Sequence, residues 1–479
     1  MVNIRTRFAP SPTGFMHIGG VRTALFACLL ARQSKGSFIL RLEDTDKKRE
    51  VVGSDEHIIN TLLTLGLNYD EGPDIGGNFG PYRQSERLDI YRKWATKMIN
   101  EGRAYADPYS QEEIQEFRDI AKSNKKAFLY RNHRPENPPS WDGSQPLRFK
   151  SSPKYYKWHD EVMGNLSAGP EVIDDFIIFK SDGFPTYNFA HIIDDFEMKI
   201  SHIIRGQEFI SSQANYLNLY EALDISPPIF ATVPHILGES GNKKLGKRDG
   251  ADDVLDYLKQ GYISEALINF IASMGWNDGT TQEVFTRKEL IDKFNLSQVG
   301  RSGARFDQPR LLWLNGQHIR RLPLGELYKR VTDFWPENSL AIGDDRKMQI
   351  LGLVQDRIKI FTDLPVLTSY FFTEPTPDWT MIDSNKQLAK LSQKDLVELL
   401  ETAKNSLANS SFDATSIQQT LNQLLETTGQ KPGVLFSLIR LAVSWAPFSP
   451  SLNDTLEALG QKTVLDRLNK SIQAGRRLI

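Results

Sequence analysis

The first 45 residues constrain the fold more tightly than any other part of the chain. NIRTRFA (3–9) alternates as a strand does, and a loop rich in proline and glycine follows. Residues 21–34 then carry an amphipathic helical pattern, and FILRL (38–42) reads as a buried strand running into the acidic cluster EDTD. Strand, helix and strand within about 40 residues make a βαβ unit, which calls for a parallel sheet. Strand-like runs return in KISHIIRG (199–206) and PIFATVPHIL (228–237), as though the same sheet resumed after an insertion.

At 479 residues the chain is too long for one hydrophobic core. Glycines and prolines in EGPDIGGNFGPY (71–82) mark a boundary, and RPENPPSWDG (134–143) interrupts a mixed segment. The spacing predicts an α/β domain in two halves, 1–82 and 190–250, split by an α+β insertion over 83–189. A helical domain over 251–322 and an all-α region over 323–479 follow, with TEPTPDW placing a hinge near 373–380. There is no internal repeat and no low-complexity tail.

The formal charge of −2 neither favours nor excludes nucleic acid, because a basic face can hide in a balanced total. Cys28 is the only cysteine, so an internal disulfide or a zinc site with two thiolates is excluded. It sits on the apolar stripe Val21, Ala24, Leu25, Cys28, Leu29 and reads as a buried thiol. The N-terminus lacks a secretory apolar run, and the most apolar stretch, VLFSLIRLAVSWAPF, is interrupted by Arg440. A cytoplasmic protein is expected, with no membrane partner; nothing requires a dimer, so a monomer is expected.

Two motifs carry chemistry. FAPSPTGFMHIGG (8–20) places His17 at the mouth of the first helix, where unpaired backbone N–H groups and the helix dipole favour an anion. Gly19 and Gly20 leave the backbone open to a bulky ligand, and His17 can donate a charge-assisted hydrogen bond to a phosphate. The Lys-Ser/Thr of a P-loop is missing, and no G-x-G-x-x-G follows the first strand. Downstream, NKKLGKRDG gathers Lys243, Lys244, Lys247 and Arg248 just after a strand of the same sheet. A cationic loop opposite a helix N-terminus suits a triphosphate whose leaving group is pyrophosphate.

Taken together, FAPSPTGFMHIGG resembles the first signature of class I aminoacyl-tRNA synthetases, in the form carried by glutamyl-tRNA synthetases, and KLGKR resembles the second. RLEDTD, DGFPTYNFAHIIDD, HIIRGQEF, GYISEALINFIASMGW and RLLWLNGQHI fit the same bacterial family, and KPGVLFSLIRLAVSWAPFSPSLNDTLEALG extends the likeness towards the C-terminus. The resemblance implies a Rossmann-like α/β class I synthetase catalytic domain with an α+β insertion that approaches the tRNA acceptor end. It also implies a helical stem-contact domain and an all-α, anticodon-binding C-terminal region.

It implies catalytic roles for His17 and Lys247, and ATP contacts from His17, Gly19, Gly20, Glu208, Lys244 and Lys247. The implied glutamate pocket is Arg7, Ser11, Glu43, Tyr187 and Arg205, and Arg357 is the candidate anticodon contact. The chemistry of the residues agrees: glutamate brings two carboxylates and an ammonium, for which Arg7, Arg205 and Glu43 are complementary. A neutral amide in place of the side-chain carboxylate would cost about 3–5 kcal/mol at a buried arginine, on the order of 10²–10⁴ in discrimination. ATP with its Mg²⁺, L-glutamate and tRNA(Glu) are the implied partners, tRNA(Gln) being a second acceptor that the sequence leaves open.

Two departures from the family pattern stand out. Gly246 replaces the serine usual in the second signature, and AYADPYSQEEIQEFR has no cysteine where many relatives bind zinc. No zinc is therefore expected, and the insertion is expected to hold its fold by packing alone. Rival readings are a tRNA-modifying paralogue that transfers activated glutamate, and an RNA-binding protein with impaired catalysis.

Overall fold

The computed structural model describes residues 4–246, 253–446 and 449–479. They form two compact units, Met1–Leu258 with Ser264–Gln308, and Lys259–Ile263 with Pro309–Ile479.

The first unit is built on a six-stranded sheet. Strand β1 (Arg5–Phe8) leads into helix α1 (Ile18–Gln33) and returns as β2 (Ser37–Leu40), which lies parallel beside β1. The helix begins three residues before the apolar pattern does, because His17 caps it and the glycine pair lies inside its first turn. The turn that closes α1 needs Gly36, since a Cβ there would stand 1.9 Å from the Ile4 carbonyl oxygen. Cys28 is buried in α1, and burial pushes its thiol up to about 11.

Three short strands, β3 (Ala104–Ala106), β4 (Leu147–Phe149) and β7 (Ile177–Phe179), make a separate antiparallel sheet. Between β4 and β7, the hairpin of β5 (Tyr156–Asp160) and β6 (Gly164–Ala168) joins the edge of the large sheet instead. Helix α2 (Tyr187–Glu197) follows, then β8 (His202–Gly206), α3 (Gln213–Leu223) and β9 (Ile229–Val233). The large sheet runs β2-β1-β8-β9-β5-β6. One apolar cluster joins the two sheets, from Ile39 and Leu147 through Phe189 to Ile203 and Phe230, so the segment 83–189 does not stand apart as a body of its own.

Packing alone does not hold that segment. Asp107 accepts from Arg148 Nε at 2.6 Å and from the Tyr130 hydroxyl, and the Arg148 guanidinium lies 3.3 Å from the centre of the Tyr130 ring. Asp175 accepts from the Tyr105 hydroxyl at 2.8 Å, from Arg134 Nε and Nη2 at 2.7 Å, and from Ser151. Two buried carboxylates, each closed by a guanidinium and a phenol, fasten the small sheet, a device invisible to a reading that counted only cysteines and apolar residues.

The second unit is built of helices joined by loops, with no strand among its described residues. Its core gathers Leu396, Leu400, Leu421, Leu438, Leu456, Leu468 and their neighbours around Trp379. The 373–379 segment is tied down: Arg467 donates to the carbonyls of Tyr370 and Thr373, Glu374 pairs with Arg467 and Lys470, and Trp379 Nε1 donates to the Ser471 carbonyl.

Candidate active site

Strand order places the site. The chain leaves β1 for β2 on one side, while β8 enters on the other, so the order reverses at β1. In open α/β sheets ligands bind beyond the carboxyl ends of the strands at that reversal. The loop after β1, residues 41–46 after β2 and residues 205–208 at the end of β8 all lie on this edge. A hydrogen bond from the Glu43 N–H to the Pro10 carbonyl, 2.9 Å long, ties two of them together.

Deep in the edge is a charged pocket. All four residues of β1 are buried, so Arg5 and Arg7 must find partners inside. Arg5 meets both oxygens of Glu71 at 2.8 and 3.1 Å. Arg7 donates from Nε to Asp195 Oδ1 at 3.1 Å and from Nη1 to the Ile204 carbonyl at 3.4 Å. Two of the Arg7 nitrogens are thereby committed to orienting it, which leaves Nη2 as the remaining donor. Arg41, fully buried, donates to the same Asp195 oxygen at 2.7 Å and to Glu43 Oε1 at 3.0 Å.

Burial pushes the Glu43 carboxyl up to about 7 against the pull of Arg41 and Arg7. Asp195 is held down at about 2, the attraction of Arg41 and Arg7 outweighing a burial cost that acts the other way. Arg205 lies above three aromatic rings, Phe209 and Tyr216 at 5.2 Å and Phe230 at 5.5 Å, and no carboxylate among the described residues pairs with it. Its Nε and Nη1 are buried and unpartnered. Arg7 and Arg41 thus share the firmly ionised Asp195, Arg41 Nε also lies 3.7 Å from Asp194, which pairs with Arg87 at 2.7 Å, and Arg205 has no carboxylate partner among the described residues. The uncompensated positive charge of this cluster is concentrated at Arg205.

Tyr187 opens α2 beside this pocket, its phenol raised by burial and by Glu43. Sequence reasoning missed His191, one turn further on. Its ring stacks on Tyr187 with centres 4.5 Å apart, and its Nδ1–H donates to the Tyr187 carbonyl at 2.7 Å. Burial, followed by Arg205, holds it down at about 3, so it is neutral and presents Nε2 as an acceptor. Arg41 and Asp195 were missed as well; the signal was the pair of charges flanking otherwise apolar stretches. Ser11 is exposed, its carbonyl accepting from the Thr13 N–H at 2.8 Å.

A second cluster sits at the exposed rim. His17 caps α1 by accepting from the Gly20 N–H at Nδ1, 3.3 Å away, which leaves Nε2–H as the donor. A Cβ at Gly19 would stand 3.0 Å from His17 Cε1, so any other residue there would push the ring aside by a few tenths of an ångström. The glycine thus makes room for the imidazole as well as for a ligand. Desolvation and nearby Lys244 lower the His17 pKa, against the pull of Glu208. His235 joins the group, its Nδ1 3.7 Å from Glu208 and its pKa lowered by desolvation and Lys244. Lys244 and Glu208 are thus close enough to act on His17 electrostatically, while Lys247 lies outside the described residues. Arg357 is exposed in the second unit, next to Arg440. Among the described residues no group of three or more His, Cys, Asp or Glu is arranged to hold a metal ion, and no helix is long and apolar enough to cross a membrane.

A reversed parallel sheet with a capped helix mouth and a cationic pocket at one edge is the frame of a class I tRNA synthetase, and comparison with known proteins agrees. Residues 3–313 match the family described as tRNA synthetases class I (E and Q), catalytic domain, and residues 326–472 match the anticodon binding domain family. The glutamate–tRNA ligase of Chlorobaculum parvum is 38% identical, with 98% of both chains aligned, and glutamate–tRNA ligase 2 of Caldicellulosiruptor saccharolyticus is 37% identical over 98% and 99%. A crystal structure of a glutamate tRNA ligase from Elizabethkingia meningosepticum, in complex with its amino acid, is 32% identical and superposes with a TM-score of 0.86 over 98% and 99% of the two chains. The chain belongs to the glutamate–tRNA ligase family of class I aminoacyl-tRNA synthetases. The match extends through the C-terminal region, which the reading as a tRNA-modifying paralogue left unexplained.

Proposed function

We propose that this enzyme activates L-glutamate with ATP and transfers it to tRNA(Glu), with the deep pocket holding glutamate and the rim cluster holding ATP. The observation that carries the assignment is Arg205, a buried cation whose Nε and Nη1 have no partner and which no carboxylate among the described residues neutralises. A substrate carboxylate is the missing counter-charge. Arg7 Nη2 reaches the same ligand, and the ionised Glu43 and Tyr187 receive the ammonium, with Ser11 at the mouth.

At the rim, His17 Nε2–H and Lys244 face the phosphates, Gly19 and Gly20 border them, and Glu208 meets the nucleoside. Lys247 steadies the departing pyrophosphate, and Mg²⁺ arrives with ATP as part of that substrate. The glutamate α-carboxylate attacks the α-phosphorus, the bond to pyrophosphate breaks, and glutamyl-adenylate forms. The terminal adenosine 2′-hydroxyl of tRNA then takes the glutamyl group and AMP leaves. Both steps need positioning and charge neutralisation rather than a protein nucleophile.

In this reading residues 1–82 and 190–250 are the catalytic halves and 83–189 receives the acceptor end. Residues 251–322 meet the stem, and 323–479, in two parts that meet near 373–380, read the anticodon with Arg357 as one contact. The protein works as a monomer in the cytoplasm. ATP–pyrophosphate exchange tests the proposal. Exchange with glutamate, absent with glutamine and dependent on tRNA, is the expected result and shows that Gly246 is tolerated. No exchange under any condition, with tRNA still bound, overturns it. Charging of tRNA(Gln) is read in the same preparation.

A further inference from the structure

Gln213, the first residue of α3, lies 3% exposed beneath Arg205. Its Oε1 accepts from Arg205 Nη2, and that is the one hydrogen bond the guanidinium makes among the described residues. The contact fixes the amide's orientation, because the reverse would set N–H against N–H. Its Nε2 then lies buried with no partner of its own. Three donor nitrogens, Arg205 Nε, Arg205 Nη1 and Gln213 Nε2, are thus enclosed together without an acceptor. Enclosed donors in that number are costly unless a ligand supplies oxygens, and a carboxylate supplies two.

A neutral acceptor at this position has a second consequence. An aspartate or glutamate would also hold the guanidinium, and more strongly, but would spend its charge. The other neighbours of Arg205 are aromatic faces, which support a cation without neutralising it.

We propose that Gln213 is a specificity-determining residue. Its amide oxygen orients Arg205 while leaving its charge whole, and its amide N–H adds a donor, so that the site selects a side-chain carboxylate over the corresponding amide. This rests on the reading of the pocket as the glutamate site.

Two variants of nearly equal volume separate the parts of the argument. Gln213→Glu keeps the orienting oxygen but neutralises Arg205 and turns a donor into an acceptor. Gln213→Met keeps neutrality and loses both hydrogen-bonding atoms. In tRNA-dependent exchange, Gln213→Glu is expected to raise the KM for glutamate by about 10²-fold, the scale on which a buried charge pair is disturbed. The KM for ATP stays unchanged, and the inhibition constant of glutamine does not rise in step, so the preference for glutamate collapses. Gln213→Met raises the glutamate KM about tenfold, the scale of a lost hydrogen bond to a charged group.

Equal losses for glutamate, glutamine and ATP, or an unchanged glutamate KM in Gln213→Glu, would overturn the inference and leave a structural residue. Should Gln213→Glu fail to fold, an unchanged glutamate KM in Gln213→Met overturns it alone. A wild-type enzyme with no glutamate-dependent exchange refutes the proposed function itself, which is a different failure.

Discussion

The two units bury different things. Around the sheet of the first, Arg5, Arg7, Arg41, Glu43, Arg87, Asp194, Asp195 and Arg205 are all enclosed. In the second, His318 and Arg467, with the phenols of Tyr262 and Tyr370, are the titratable side chains buried among the described residues, and the main cluster is aliphatic apart from Trp379. Enclosed charge is expensive and is tolerated where it meets partners or where a ligand will supply them. A substrate as small and charged as glutamate must be surrounded to be recognised, and the pocket proposed for it accordingly lies inside this core. An RNA is too large to be enclosed and is met on the surface. The helical unit, which matches an anticodon binding domain, can therefore keep an ordinary core and carry its charge outside, Arg357 being one exposed cation.

Removing charge from the first core should have the largest effect. Asp194 accepts from Arg87 at 2.7 Å, from Gln84 at 2.8 Å and from the Tyr91 hydroxyl. Asp194→Leu leaves the Arg87 guanidinium enclosed and is expected to cost about 3–5 kcal/mol of stability, read from urea unfolding. A neutral result would mean that the network is dispensable and the contrast between the cores superficial. His17→Ala removes a donor from the rim without touching either core. Exchange should fall by about 10²–10³ with tRNA affinity unchanged. If tRNA binding collapsed too, the role given to His17 would be wrong.

Leu438→Ala empties part of the helical core and is expected to cost about 3 kcal/mol. The glutamate KM should not move; a shift there would tie the second core to the pocket. The pH dependence is subtler, and its sign separates binding from folding. Glu43 is protonated in the fold up to about 7, whereas its ordinary value is 4.5. Between those values the folded chain holds a proton the unfolded chain has lost, so this group's contribution weakens the fold as pH rises. Only the ionised form accepts an ammonium, so the glutamate KM should fall as pH rises through about 7. Glu43→Gln should flatten that profile, and a profile identical to wild type would remove Glu43 from the site. The smallest effect is at the surface. Arg357→Gln is expected to weaken tRNA binding about tenfold, the scale of one charged contact, with the glutamate KM intact.

Some of this was written plainly in the chain. The alternation of NIRTRFA, the apolar stripe from Val21 to Leu29 and the returning KISHIIRG gave a parallel sheet, because strand and helix periods survive any tertiary arrangement. His17 and Lys244 were legible because glycines, prolines and clustered lysines stand out locally. What the periods could not reveal was partnership. Arg7 and Arg41 converge on one oxygen of Asp195, about 150 residues or more away in sequence. His191 stays neutral well into acid because burial and Arg205 push it down to about 3, and the hairpin 156–168 leaves its neighbours for the larger sheet. Sequence by itself determined which segments form strands and helices and which residue types face a sheet edge, since those depend on neighbours along the chain. Only the tertiary structure decided which buried charges are already satisfied and which, like Arg205, still await a ligand, because that depends on groups folding brings together from far apart.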